Sequence, residues 1–318
     1  MVTLTEIANK LKDKTKIAIF SHVRPDGDTL GSALALKYAL MKTGKTAEVF
    51  CDEPAPEKFL RLDSRFGEIK TELDGDYDCY FAVDVSDLTR LGKFTGEFAS
   101  KKDCIVVDHH ISNPRFAKYS FVKDVAANSE NIYELLKIMN VPLDKTIATF
   151  LMTGIVTDTG AFYHKNVESE TLRTASELLD YGVDLNGIIF YMFKAQSKER
   201  AKLLAMTMEK TRYYLGDKLG IIVVSRENLK IANASSDVTE GFIDNVMAID
   251  TVEVGICLLE TGDKSYKVSF RSKGADVNAM ANVYGGGGHV LASGCMMNGY
   301  LEDVIDRLVY TVKQYTEF

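Results

Sequence analysis

Short apolar runs recur through the first half of the chain: Ile17-Ala18-Ile19-Phe20, Tyr80-Phe81-Ala82-Val83 and Cys104-Ile105-Val106-Val107. None alternates with polar residues, so each predicts a strand buried on both faces. Helical spacing follows the first run over 33–40 and returns at 131–139, 168–179 and 185–193. Strand and helix patterns in alternation predict an α/β domain with a mainly parallel sheet and flanking helices on both faces. Residues 1–16 alternate apolar with charged positions, as an amphipathic helix does. A charged, proline-free stretch over 196–212 predicts a connecting helix. Beyond it, 219–225, 252–259 and 266–271 read as strands, and 244–249 and 277–284 as helices. The expected division is a first domain over 1–190, a linker helix within 191–212 and a smaller α/β domain over 213–318.

The polar residues that end these runs carry the chemistry. Asp108-His109-His110 closes the third run, and Asp84-Val85-Ser86-Asp87 closes the second. The first leads into Ser21-His22-Val23-Arg24-Pro25-Asp26-Gly27-Asp28. Pro25 and Gly27 make that loop tight, so His22, Asp26 and Asp28 converge at one strand end. Asp28 is expected to cap the following helix, which leaves Asp26 and His22 unexplained by capping. A fourth acid, Asp158, follows the apolar run 147–152, an expensive place for a lone carboxylate. One strand-end Asp is usually a cap or turn former. Four of the chain's five histidines (His22, His109, His110 and His289, with His164 the fifth) sit in motifs with acids or glycines. Carboxylate with neutral imidazole suits a divalent ion, and ligands collect beyond the carboxyl ends of an open parallel sheet. The summed negative charge calls for two such ions. Mixed oxygen and nitrogen ligands favour Mn²⁺, with Mg²⁺ second.

Composition narrows the partners. The 318 residues are 46% hydrophobic and 26% charged, ordinary for a globular protein with room for two domains. A net charge of −7 argues against long nucleic acid and leaves small phosphorylated molecules as substrates. No stretch has the length of a membrane span, and residues 1–16 have no apolar signal core. Cys51, Cys79, Cys104, Cys257 and Cys295 show no paired spacing and read as free thiols in a reducing cytoplasm. A homodimer is left open.

The ordered set SHVRPDGDTLGS (21–32), VDVSD (83–87), VDHHISN (107–113) and TGIVTDTGAF (153–162) resembles the DHH phosphoesterase family. SFRS (269–272) followed by YGGGGH (284–289) resembles its DHHA1 substrate-binding domain. The likeness spans nearly the whole chain. The family implies one Mn²⁺ on His22, Asp26 and Asp84, and a second on Asp28, Asp84, His109 and Asp158, with Asp84 bridging. Asp108 and His110 are implied as catalytic-site residues, Asp108 orienting a ligand and His110 facing the phosphate. Arg271, Gly286, Gly287, Gly288 and His289 are implied to bind substrate. A cleft between the domains would then have metals on one wall and Arg271 with His289 on the other. The segment 127–130 departs from a stretch richer in Ser and Thr in the family, a change expected to touch no metal ligand. At this length the chain is similar to stand-alone members that degrade short oligoribonucleotides to mononucleotides and remove the 3′-phosphate of pAp. It also resembles members acting on cyclic di-AMP or linear pApA. A family II-type pyrophosphatase shares the acid and histidine pattern, but Arg271 and the glycine run favour the DHHA1 type.

Overall fold

The computed structural model describes residues 2–318, and Met1 lies outside the described residues. It divides into two compact units, the division falling between Ala195 and Gln196. The first contains α1 (Leu4–Lys12), β1 (Lys16–Phe20), α2 (Gly27–Lys42), β2 (Thr46–Phe50), α3 (Glu57–Leu62), β3 (Cys79–Val83) and α4 (Thr95–Ser100). It continues with β4 (Ile105–Asp108), β5 (Tyr119–Val122), α5 (Asn128–Ile138), α6 (Lys145–Asp158), α7 (Ser169–Leu179) and α8 (Leu185–Ile189).

Its five strands run in the order β2-β1-β3-β4-β5, all parallel. The apolar runs are the three central strands, and their period of two divides them between two cores. Ile17, Ile19, Phe81, Val83, Ile105 and Val107 face one side, packed with Leu30, Leu34, Phe150 and Leu151 from α2 and α6. Ala18, Phe20, Tyr80, Ala82 and Val106 face the other, against Leu91, Phe94 and Phe98. The edge strands β2 and β5 escaped the apolar-run reading. Each is open to solvent along part of its length and carries polar residues, TAEVF and YSFV.

Helix α2 begins six residues earlier than the spacing predicts, and the cap is Asp26 rather than Asp28. Asp26 accepts the backbone N–H groups of Asp28 and Thr29, both at 3.1 Å. Helix α2 is buried along most of its length because α5 and α6 cover it. Close approach depends on glycine: a Cβ on Gly31 would strike the carbonyl of Phe150 in α6, and one on Gly154 would strike Ser129 and Asp28.

The second unit holds α9 (Lys198–Met208), β6 (Arg212–Tyr214), β7 (Leu219–Val224), α10 (Arg226–Ala232), α11 (Phe242–Met247) and β8 (Val254–Gly262). It ends with β9 (Ser265–Ser272), α12 (Val277–Asn282), β10 (Gly287–His289), β11 (Ala292–Asn298) and α13 (Leu301–Tyr315). Its six strands follow the order β10-β11-β9-β8-β7-β6, antiparallel except for the pair β7–β8. Val304, Ile305 and Leu308 of α13 fill one core with Val268 and Phe270. On the other side Leu203 of α9 is buried with Ile222, Val224 and Phe242, so the helix expected as a connector packs into this unit.

Gly154→Ala places a methyl group where Ser129 is already held by Asp28. We expect a loss of about 1–3 kcal/mol, the usual cost of overpacking a core, read as a lower denaturant midpoint at unchanged slope.

Candidate metal centre

The chain leaves β1 toward β2 on one side and β3 toward β4 on the other, so a crevice opens where the carboxyl ends of β1 and β3 lie side by side. His22 lies two residues beyond β1, Asp84 directly follows β3, and Asp108 is the last residue of β4 with His109 and His110 next. Asp26 and Asp28 stand at the start of α2, and Asp158 ends α6. A carboxylate at a helix C-terminus opposes the helix dipole, so Asp158 needs a positive neighbour.

These side chains form overlapping groups, each compact enough to share one cation. The groups are His22, Asp26 and Asp84; Asp28, His109 and Asp158; and Asp84, His109 and His110. His22 Nε2 lies 3.5 Å from both Asp26 Oδ2 and Asp84 Oδ2. His109 Nε2 lies 3.3 Å from Asp84 Oδ1 and 3.5 Å from Asp158 Oδ2. The two oxygens of Asp84 thus face the two histidines, one each. Asp84 is buried, and its Oδ1 has no hydrogen-bond partner. Its backbone is left-handed, φ 57°, a strained conformation for a residue with a side chain.

Both imidazoles are aimed by their far nitrogen. His22 Nδ1 donates to the carbonyl of Val23 and His109 Nδ1 to that of Val125, each at 2.9 Å. Nε2 of each ring is thereby turned to the carboxylates. Arg90 Nη2 stands 3.1 Å from His22 Nδ1, but two donors cannot bond to each other, so it flanks the ring without anchoring it. Thr29 ties the crevice together: its hydroxyl accepts the N–H of His22 at 3.3 Å and donates to the carbonyl of Val83 at 3.2 Å.

Asp28 caps a helix, but a distant one. The N-cap position of α5 is Ala127, which offers no side-chain acceptor. Asp28 accepts the N–H groups of Asn128 and Ser129, and the Ser129 hydroxyl at 2.6 Å. The segment expected to touch no ligand therefore holds Asp28 in place through three donors. Ser32 adds a fourth at 3.3 Å, which leaves acceptor capacity chiefly on Oδ2.

Burial together with Asp28, Asp84 and Asp26 pushes the Asp158 carboxyl up to about 9. Burial and then Asp84 push Asp28 up to about 7. Burial disfavours the charged form of His22, yet Asp26 and Asp84 outweigh it and lift the imidazole to about 10. Burial acts likewise on His109, and Asp84 and Asp28 lift it to about 11. Protons are held wherever a cation would relieve the same repulsion. The free Oδ1 of Asp84, the two aimed Nε2 atoms and this charge balance fit divalent metal ions.

The remaining expected residues lie elsewhere. Asp87 caps a short turn by accepting the N–H of Thr89 at 2.8 Å. His164 Nδ1 lies 3.2 Å from the carbonyl of Asp158, bracing the turn after α6. In the second unit, His289 pairs with Ala292 and Ala292 with Arg271, so the three lie in one row across β10, β11 and β9. Arg271 Nη1 donates to the carbonyl of Phe270 at 3.0 Å. The glycine run is partly strand, not a free loop. A Cβ on Gly286 or Gly288 would collide with β11, whereas one on Gly287 would make only ordinary contacts with Asn282 and Asn278. Two residues tied to the cluster were missed: Arg90, which carries no motif signal, and Asn113, which lies inside one.

The DHH family N-terminal domain model matches residues 16–155, and the DHHA1 domain model matches 220–317. The bifunctional oligoribonuclease and PAP phosphatase NrnA of Thermus thermophilus is 31% identical over 303 residues, 94% of this chain and 89% of the relative. The probable bifunctional oligoribonuclease and PAP phosphatase NrnA of Streptococcus mutans is 30% identical, covering 98% of this chain and 100% of the relative. A crystal structure of an exopolyphosphatase-related protein from Bacteroides fragilis shares the fold, with TM-score 0.82 at 24% identity over 98% of this chain and 96% of that one. A parallel sheet gathering acids and imidazoles at its switch point, followed by a mixed α/β unit, defines a class of metal-dependent hydrolases. Within that class the chain belongs to the DHH phosphoesterase family, with a DHHA1 domain after the DHH domain.

The raised groups set a pH dependence for the metal-free protein. The folded state binds protons more tightly at His22, His109 and Asp158 than the unfolded chain, whose groups titrate near 6.5, 6.5 and 3.8. Each contribution to stability is whole below the unfolded value and is lost as pH rises through the folded one. All three decline together between pH 6.5 and about 9. In chelator, the denaturant midpoint should fall across that window; with saturating Mn²⁺ the fall should shrink or reverse.

Proposed function

We propose that the protein is a phosphoesterase dependent on two divalent ions. In this reading it hydrolyses short oligoribonucleotides, dinucleotides upward, to 5′-mononucleotides and removes the 3′-phosphate of pAp. The observation that carries this is Asp84: a buried, strained carboxylate whose two oxygens face separate histidine groups, as a bridge between two cations requires. Its support from relatives is the oligoribonuclease and PAP phosphatase activity in the names of the Thermus and Streptococcus proteins.

His22, Asp26 and Asp84 would hold one ion, and Asp28, Asp84, His109 and Asp158 the other. Mn²⁺ is preferred over Mg²⁺ because nitrogen donors are present. When bound, the ions neutralise phosphoryl oxygens and supply a water-derived nucleophile at neutral pH. His110, partly exposed beside the cluster and held by Asp108 at 2.8 Å, would contact the phosphate. Arg271 and His289, with the backbone of Gly286, Gly287 and Gly288, would bind substrate phosphate. The guanidinium fork suits a terminal phosphate. A net charge of −7 keeps the substrates short. Five free, buried cysteines suit a reducing cytoplasm. No helix of the described residues is long and apolar enough to cross a membrane.

A time course with Mn²⁺ on pAp, a 5′-phosphorylated diribonucleotide and cyclic di-AMP tests the reading. Phosphate from pAp and mononucleotides from the linear dimer are expected. A large kcat/KM preference for cyclic di-AMP would replace it with a cyclic-dinucleotide phosphodiesterase. Asp84→Ala should lower kcat about a thousandfold or more, since several kcal/mol of charge stabilisation depend on both ions. Arg271→Ala should mainly raise KM, by about 10–100-fold, the equivalent of the ~1.5–3 kcal/mol of a charged hydrogen bond.

A further inference from the structure

Asn113 is buried behind the metal cluster, in the loop after β4. Its hydrogen bonds fix the polarity of a whole chain of groups. The amide oxygen accepts the backbone N–H of Arg115 at 2.7 Å, which settles the orientation of the amide. The amide nitrogen then donates twice, to the carbonyl of Val85 at 2.8 Å and to Asp108 Oδ2 at 2.6 Å. Turned the other way, the amide oxygen would face two acceptors. Asp108 is fully buried, and its Oδ1 lies 2.8 Å from His110 Nδ1. With Oδ2 committed as an acceptor, the carboxylate is set up to accept on Oδ1 as well, so His110 donates from Nδ1.

We infer that Asn113 is a positioning residue of the active site: by holding Asp108 as an acceptor on both oxygens, it fixes His110 with its proton on Nδ1 and leaves Nε2 for the substrate. The inference deepens the phosphoesterase reading and rests on it for the role of His110. Two further contacts suit the role. The backbone N–H of Asn113 donates to the carbonyl of His110 at 3.0 Å, closing the turn that carries the ring. The bond to Val85 grips the peptide that follows the strained Asp84, so one amide ties the loops after β3 and β4 together. Ile111, inside the same turn, is 78% exposed and adds no packing that would hold the ring.

The test compares the wild-type chain with Asn113→Ala and Asn113→Asp. The first removes the amide without adding charge; the second keeps its shape but loses the paired N–H donors. For both, kcat on pAp should fall about 10–100-fold with KM within about threefold, the usual effect of removing a group that orients an active-site ligand. Metal content per chain should stay at the wild-type value. A side chain that only fills space would lower the melting temperature and leave kcat unchanged below it. The independent readout is the His110 tautomer, by ¹H–¹⁵N correlation on ¹⁵N-histidine-labelled protein with Mg²⁺, assigned by the signal lost in His110→Ala. Wild type should show the proton on Nδ1, and the variants should lose that preference. A wild-type proton on Nε2 overturns the inference even if both variants fail to fold. So does wild-type kcat in the variants, or metal loss with the tautomer intact. If wild type fails to hydrolyse pAp and the linear dimer, the phosphoesterase reading fails while the tautomer still reports on Asn113.

Discussion

Repulsion among buried carboxylates is the constraint around which the first domain is arranged. Asp28 and Asp84 are buried and Asp158 is largely so, and all three lie near His109. Nothing in the apolar cores on either side of the sheet can relieve that charge. The metal-free chain meets it by holding protons, on Asp158 and on both imidazoles. Divalent cations bound in place of those protons would relieve the same repulsion. A site that is unfavourable alone and favourable when loaded has affinity for cations built into its fold.

The scaffold holds this arrangement with backbone groups rather than flexible side chains. Val23 and Val125 carbonyls orient the two histidines, and the N-terminus of α5 holds Asp28. The His22 tie is local, but those of His109 and Asp28 reach 16 and about a hundred residues along the chain, so the cluster forms only when the sheet and helices are assembled. Gly31 and Gly154 permit the close approach of α2 and α6 that brings Asp28 and Asp158 to the same crevice. Stability and site geometry are coupled through these contacts. The second domain separates the two differently: its core is filled by α13 and α9 on opposite faces, while Arg271 and His289 occupy a strand row toward one edge of its sheet.

Much of this was legible in the chain. Three uninterrupted apolar runs fixed the central strands, because a strand covered on both faces must be apolar at every position. The acids and histidines directly after them marked the residues that converge on one crevice, since a parallel sheet brings its carboxyl ends together. The edge strands were not legible, because their exposed and half-exposed positions accept Thr, Glu and Tyr as readily as loops do, and Ser120 interrupts the apolar run of β5. The start of α2 was misplaced because Gly27 and Gly31 look like breakers, although Asp26 caps the helix and its burial requires small residues.

What sequence alone determined was local: which residues end each strand and which side-chain chemistry stands there. Tertiary structure decided the partnerships, because hydrogen bonds and charge interactions act through space across any sequence separation. The sequence reads Asp28 as a cap for its own helix; the fold makes it the cap of α5, a hundred residues away. The sequence places Asn113 as one more polar residue after a histidine pair; the fold gives its amide two acceptors, one in the loop after β3 and one at the end of β4. The sequence marks the glycines before His289 only for backbone approach to a substrate; β11 makes two of them steric necessities. Side-chain identity sets what a group can donate, accept or ligate, and only the assembled sheet and helices set which group it meets.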